Sequence, residues 1–298
     1  MHLKGTSMSI ESLGDKIKRF ELVTDFSLPR HLPVVLRLDG KAFHTYTEGM
    51  ERPFDNDFRY IMEYAAYRCC KLIEGCRLGY TQSDEISLLL VDYATPSTEA
   101  WFDYRLSKVI SVAASICTGA FNQACLIKKP EVFLKRGPAA FDCRAFSIPR
   151  EDVCDCFLWR QKDSERNCIN SIAQSHFSHE ELKGISCNEL QNMLMVQKGI
   201  NYNDVPAKYK RGVAFYKSKF FVHKVNALRT LWVKDESMPI LTQNRYYVDR
   251  WAEPSPIDYT PDIDTISICE DIDFSKVLKI ETVGDVEMSS RIVPAQDL

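Results

Sequence analysis

The alternation of apolar and polar positions divides the chain into a strand-bearing first half and a more helical second half. Leu13, Ile17 and Phe20 recur at helical spacing within residues 12–21, which predicts an amphipathic lead-in helix that ends before Pro29 and Pro33. Val34 to Leu38 is an apolar run of strand length, and it stops at Asp39-Gly40. Phe58, Ile61, Met62, Ala65, Ala66, Cys69 and Leu72 then mark a helix that opens after Arg52-Pro53-Phe54-Asp55, is capped by Asn56 or Asp57, and ends at Glu74-Gly75. Residues 76–81 and 87–92 pair as a hairpin with Gln82, Ser83, Asp84 and Glu85 at its turn. Trp101, Leu106, Val109, Ile110, Ala113 and Ile116 form the stripe of a second long helix over residues 98–123, and Phe141 to Ile148 alternates as another strand. Strand, helix, strand, strand, helix, strand is the order of a split βαβ sheet with helices packed on one face, an α+β arrangement.

Residues 152–174 and 178–197 are helical in period, the second opening with Ser178 three residues before Glu181 in a capping-box spacing. Residues 207–234 follow with eight Lys or Arg and no acid, interleaved with Tyr209, Phe215, Tyr216, Phe220 and Phe221. Such a stretch either contacts phosphates and stacks on bases or is a basic strand pair whose aromatics face the core. Pro254, Pro256 and Pro261 mark a loop before the tail. The expected organisation is a catalytic domain over residues 8–150, a helical and basic segment over 151–250 that completes its body, and an acidic tail over 251–298.

Charge sharpens this division. Of 41 acidic residues 14 lie from Asp235 onward, against 5 of the 38 basic ones, so residues 235–298 carry −9 and residues 1–234 carry +6. The overall −3 therefore hides a basic body suited to a polyanion. No apolar run approaches the roughly 20 residues of a membrane span, and the first residues lack the apolar segment of an export signal. The expectation is a cytoplasmic protein with no membrane partner; Met8 offers an alternative start to Met1, and the sequence leaves open whether residues 1–7 are native. Eleven cysteines, none spaced Cys-x-x-Cys, point to free thiols rather than a zinc site or a disulfide framework.

The candidate chemistry lies at Leu38-Asp39-Gly40 and Ser83-Asp84-Glu85. Carboxylates on neighbouring strand ends can hold two Mg²⁺ ions that activate an attacking oxygen and steady a leaving group. Gly40 permits a turn whose carbonyl can add a metal ligand and whose following amides, Lys41 to His44, can cradle a triphosphate. Lys108 is a lone lysine in a helical pattern, by itself a solvated residue unless a phosphate lies near it.

Arg37-Leu38-Asp39-Gly40-Lys41-Ala42-Phe43-His44, Arg52-Pro53-Phe54-Asp55 and Gly79-Tyr80-Thr81-Gln82-Ser83-Asp84-Glu85 resemble successive motifs of the tRNA-histidine guanylyltransferase family. Phe141-Asp142-Cys143-Arg144, Trp159-Arg160-Gln161, Lys183-Gly184 and Ile200-Asn201-Tyr202-Asn203 continue the likeness in order, over about residues 12–250. The resemblance implies a catalytic domain like the palm of polymerases and nucleotide cyclases, assembled as a homotetramer, that extends RNA in the 3′-to-5′ direction. A tRNA 5′ phosphate is activated with ATP unless it is already a triphosphate, and the 3′ hydroxyl of GTP or another nucleoside triphosphate attacks it. Carried over by position, Asp39, Gly40 and Asp84 bind two Mg²⁺, with Asp39, Asp84 and Glu85 as catalytic residues. Arg37, Gly40, Lys41, Ala42, Phe43, His44, Asp55, Ser83 and Lys108 meet the nucleotide. Arg160, Arg166, Asn167, Lys208, Lys210, Arg211, Lys217 and Lys219 meet the tRNA acceptor stem.

Members that recognise the histidine tRNA resemble one another in a His-Ile-Asn-Asn run after Trp-Arg-Gln, where this chain has Glu165-Arg166-Asn167-Cys168. The surrounding residues look like the bacterial, archaeal and phage-type like proteins, whose reaction is template-dependent repair of 5′-truncated tRNA. The alternatives are addition of the extra guanylate to tRNA-His, a nucleotide cyclase or forward polymerase on the same sheet, and a non-catalytic RNA-binding protein.

Overall fold

The computed structural model describes residues 12–222, 227–255 and 266–272. In chain order these hold α1 (Leu13–Leu22), β1 (Val34–Gly40), α2 (Phe43–Tyr46), α3 (Asn56–Leu72), β2 (Cys76–Gln82), β3 (Glu85–Leu90), α4 (Leu106–Lys128), α5 (Pro130–Arg136), β4 (Phe141–Ser147), α6 (Val153–Gln174), α7 (His179–Leu182), α8 (Cys187–Lys198), α9 (Ala207–Arg211), β5 (Val213–Val222), β6 (Ala227–Asp235), α10 (Tyr246–Asp249) and β7 (Ile266–Ile268). The strands form one sheet in the order β4-β1-β3-β2-β5-β6-β7. Every neighbouring pair in it is antiparallel.

The two faces of the sheet follow from strand alternation. Val34, Leu36 and Leu38 of β1 and Ile86, Leu88 and Leu90 of β3 pack with buried residues of α3 and α4. Val35 and Leu89 face the opposite way, against Val153, Cys154 and Phe157 of α6. The split βαβ order therefore holds with α3 and α4 on the expected face, and the second half supplies α6 to cover the other. A third cluster joins Cys168, Ile169 and Ile172 of α6 to Leu190 and Leu194 of α8.

Local chemistry moved several boundaries. Asp55, rather than Asn56 or Asp57, caps α3 by accepting the Phe58 amide at 2.8 Å. The second long helix starts only at Leu106, because Phe102 and Asp103 adopt left-handed backbone. The helix expected over 178–197 is split into α7 and α8 at Gly184 (φ +77°), each with its own capping box. Among the described residues α4 alone is long and apolar enough, by length and composition, to cross a membrane, against the expectation of no such run. Its Val109, Ala113, Cys117, Phe121 and Ala124 are buried on the sheet. All eleven cysteines are free thiols, as expected.

Residues 207–234 fold mostly as the strand pair β5–β6, with Phe215 and Tyr216 buried. Lys224 and much of the acidic tail lie outside the described residues. What is described of the tail adds β7 to the sheet edge and pairs Asp271 with Arg68 at 3.0 Å and with Lys71.

Candidate active site

Antiparallel register brings the acids together. Asp39, at the end of β1, stands directly across from Glu85 on β3 and from Asp142 on β4. The β2–β3 turn is fastened to the end of β1, since the Gly40 amide donates to the Asp84 carbonyl at 3.2 Å. Ser83, in left-handed backbone (φ 51°), donates its hydroxyl to Asp84 Oδ1 at 3.0 Å. In the sequence Asp142 stands out only within the Phe141-Asp142-Cys143-Arg144 motif; its place beside Asp39 is a matter of register.

The turn after β1 is equally constrained. A Cβ on Gly40 would lie 2.3 Å from the Phe43 ring, so only glycine fits above it. Phe43 is buried between Tyr46, Phe58, Phe121 and Phe141. Its contribution to any ligand is thus through its backbone. Lys41 donates its amide to the Ala140 carbonyl at 2.9 Å, and Ala42 adopts left-handed backbone (φ 56°) before α2. Left-handed conformation costs a non-glycine residue about 1–2 kcal/mol. Two such residues, Ala42 and Ser83, flank the acids, and strain of this kind is often held where backbone must face a ligand. The side chains of Lys41 and His44 are exposed.

Burial pushes the Asp39 carboxyl above its ordinary range, and the charges of Asp84 and Asp142 push it further, against Arg37 and Arg160. Asp84 is raised by burial too, with the Ser83 hydroxyl opposing. Glu85 is raised by burial and lowered by Arg160, whose Nη1 lies 2.7 Å from Glu85 Oε2. Among the described residues no three His, Cys, Asp or Glu side chains converge to cage an ion unaided. Two carboxylates and one backbone carbonyl, completed by water and substrate phosphate, are nonetheless a donor set that suits Mg²⁺. The repulsion felt by Asp39 is what a cation there relieves, so these residues fit the metal.

A cavity of about 340 Å³ opens beside the Ser83 turn, bounded by Thr47, Asp55, Ser83, Asn167, Lys208 and Tyr209 among others. Tyr209 stacks on Phe54 at 4.2 Å to close one wall. Asp55 lines this cavity, but its carboxylate is already engaged by Lys129 at 2.8 Å and by the amides of Phe58 and Glu51.

Other expected contacts fall elsewhere. Lys108 is exposed and sits ten residues before Thr118, whose hydroxyl accepts the Phe141 amide at the acid end of the sheet. That puts Lys108 about 15 Å away along α4 from this anchor point. Arg37 lies 5.4 Å from the Trp159 ring, on the same face as Asp39. Arg160 is buried and bound to Glu85, so it is not placed to grip RNA. Arg166 is exposed and paired with Asp163. Lys208 pairs with Glu236 at 2.9 Å, Lys210 donates to the Asn203 carbonyl at 2.8 Å, and Arg211 donates to the Met238 carbonyl at 2.7 Å. Lys217 and Lys219 are exposed on β5, Lys217 at 5.2 Å from the Trp232 ring.

Comparisons with known proteins converge on one family. The family described as "Thg1: tRNAHis guanylyltransferase" matches residues 14–149. The tRNA(His) guanylyltransferase of Schizosaccharomyces pombe is 34% identical over 214 residues, 65% of this chain and 78% of that protein. A bacterial tRNA(His) guanylyltransferase-like protein in complex with ATP superposes with a TM-score of 0.75 at 37% identity, covering 82% of this chain and 100% of the other. A bacterial like protein in complex with GTP gives 0.70 at 34%, covering 81% and 99%.

Proposed function

We propose that this chain, which belongs to the tRNA-histidine guanylyltransferase family and is a nucleotidyltransferase, repairs 5′-truncated tRNA by template-dependent 3′-to-5′ nucleotide addition. The observation that carries the repair reading is the stretch Glu165 to Cys168. Cys168 is packed in the buried cluster between α6 and α8, Arg166 is tied to Asp163, and Asn167 lines the cavity. Of these only Arg166 is exposed, and Asp163 holds it, so the stretch does not present a free polar run of the His-Ile-Asn-Asn kind. The bacterial relatives bound to ATP and GTP support a nucleoside triphosphate as the substrate.

In this reading Asp39, the Gly40 carbonyl and Asp84 hold two Mg²⁺ ions, which when bound lower the charge on the attacking and leaving oxygens. The backbone amides from Ala42 to His44 receive phosphate oxygens, the Lys41 amide being held by Ala140, and the cavity beside Ser83 takes the base. Ser83 keeps Asp84 oriented, and the site's burial strengthens each of these interactions. The nucleotide 3′ hydroxyl attacks the activated 5′ phosphorus: the new O–P bond forms as the bond from phosphorus to the leaving oxygen breaks, the hydroxyl proton passes to water, and AMP or pyrophosphate departs. Residues 8–150 are the catalytic domain, 151–250 complete its body, and the assembly is a cytoplasmic homotetramer. The exposed Lys217 and Lys219 contact tRNA phosphates.

The test is end-addition to a panel of tRNAs lacking one or more 5′ nucleotides, with labelled triphosphates and the opposing base varied. The expected product grows at its 5′ end with the base complementary to the template. Addition of a single guanylate to tRNA-His whatever base stands opposite selects the guanylyltransferase reading. A cyclic nucleotide or growth at the 3′ end overturns both.

A further inference from the structure

We propose that Arg160 is a positioning residue for the transfer reaction, holding Glu85 by one carboxylate oxygen so that the other faces the reacting groups beside Asp39. The proposal rests on the catalytic reading of the site given above. Arg160 comes from α6, outside the palm-like half, yet it is only 6% exposed. Its Nη1 lies 2.7 Å from Glu85 Oε2 and 3.7 Å from Asp163 Oδ2, and its guanidinium lies 3.3 Å from the centre of the Trp159 ring. Three neighbours therefore fix it.

The form of the ion pair is informative. An arginine–carboxylate pair built for rigidity commonly closes as a two-bond fork. Here a single bond is made: Glu85 Oε1 and Arg160 Nε are both buried, and both lack a hydrogen-bond partner. Leaving a buried donor and acceptor unmade is unfavourable, so a pair of this form is a poor device for stability alone. Glu85 stands directly across from Asp39, on the face covered by α6. Its unpartnered oxygen belongs to the sheet face that carries Asp39, and in this proposal seating of the substrate brings a donor to it, the attacking hydroxyl or a water. Arg160 touches no reacting atom and acts only through Glu85.

The experiment is steady-state nucleotide addition to a 5′-triphosphorylated truncated RNA by R160M, R160K, W159A, E85Q and R160M/E85Q, with thermal melting of each. R160M is expected to lower kcat by on the order of 10²-fold, the loss that misplacing a catalytic group brings. KM for nucleotide and RNA should stay within about twofold, because the lost interaction is one made in the transition state. R160K should recover part of the loss, and R160M/E85Q should be no slower than E85Q, since effects of residues acting as one unit do not add. If R160M does not fold, W159A carries the test: Trp159 is 54% exposed, and its loss should lower kcat several-fold without raising KM. A raised KM for RNA at unchanged kcat, or losses that multiply in the double variant, overturns the proposal. Wild-type protein that adds no nucleotide overturns the functional reading instead; wild-type addition with R160M unimpaired per folded molecule overturns only the role of Arg160.

Discussion

Replacing Gly40 with alanine sets a methyl carbon 2.3 Å from Cδ2, 2.5 Å from Cε2 and 2.6 Å from Cγ of Phe43. The ring cannot swing aside, because Tyr46, Phe121 and Phe141 stand 5.3, 5.2 and 5.0 Å from it, centre to centre. The turn must lift instead, and overpacking of this kind costs about 1–3 kcal/mol. For a large domain each kcal/mol lowers Tm by roughly 2–4 °C, so a fall of about 2–12 °C is expected by calorimetry or circular dichroism. Lifting the turn also moves the Gly40 carbonyl and the amides after it, and an ångström of misplacement costs on the order of 10²-fold in rate. Trimming the ring in G40A/F43L should relieve the clash, leaving the double variant less destabilised than the sum of the singles by about 0.5–3 kcal/mol. G40A with wild-type Tm, together with strict additivity in the double variant, would refute the close approach as the reason for glycine.

Three further outcomes follow from the same geometry. D39A and D84A should each lower nucleotide addition by at least about 10²-fold, the scale of losing a transition-state electrostatic partner, and chelation of divalent metal should stop addition by the wild type; the Tm of D39A without metal should not fall, since Asp39 is under repulsion from Asp84 and Asp142. Charge reversal at Lys217 and Lys219 should flatten the dependence of log K on log salt for tRNA by about 1–2 in slope, and an unchanged slope assigns these lysines to assembly instead. Burial opposes ionisation of Glu236, but Lys234, Lys208 and Arg59 outweigh it and hold its pKa at about 2 against an ordinary 4.5. The stability this gives is present above the ordinary value and lost as pH falls from about 4.5 toward 2, so the Tm gap between wild type and E236Q should be widest near neutrality and close in acid.

How far the chain could be read depended on whether a signal was local. β1, α3, the β2–β3 hairpin and β4 each announce themselves by period and end signals within a few residues, and their order is sufficient to name the sheet. The placement of Asp142 beside Asp39 was not legible, because it depends on the β1–β4 register, set across a separation of about a hundred residues. The basic stretch illustrates a different limit. Its composition suits a polyanion, yet Lys208, Lys210 and Arg211 turn back onto Glu236 and backbone carbonyls, partners that composition does not reveal.

Trp159 and Arg160 show why α6 misleads most. Adjacent residues on a helix point about 100° apart, and transfer energies favour turning the indole inward and the guanidinium outward. The structure does the reverse: Trp159 is 54% exposed and Arg160 is 6% exposed. The reason lies on another element. Glu85 is buried against the face that α6 covers, and an uncompensated buried carboxylate costs more than an exposed indole, so the helix is rotated to bring the arginine in. The indole then lies against the guanidinium, covering part of it from solvent. A local rule broken in this way, with the compensation placed at the acids of the sheet, is what a functional constraint looks like in a sequence. Read alone, Arg160 is a candidate RNA contact; read with Glu85, it ties α6 to the acids at the end of the sheet.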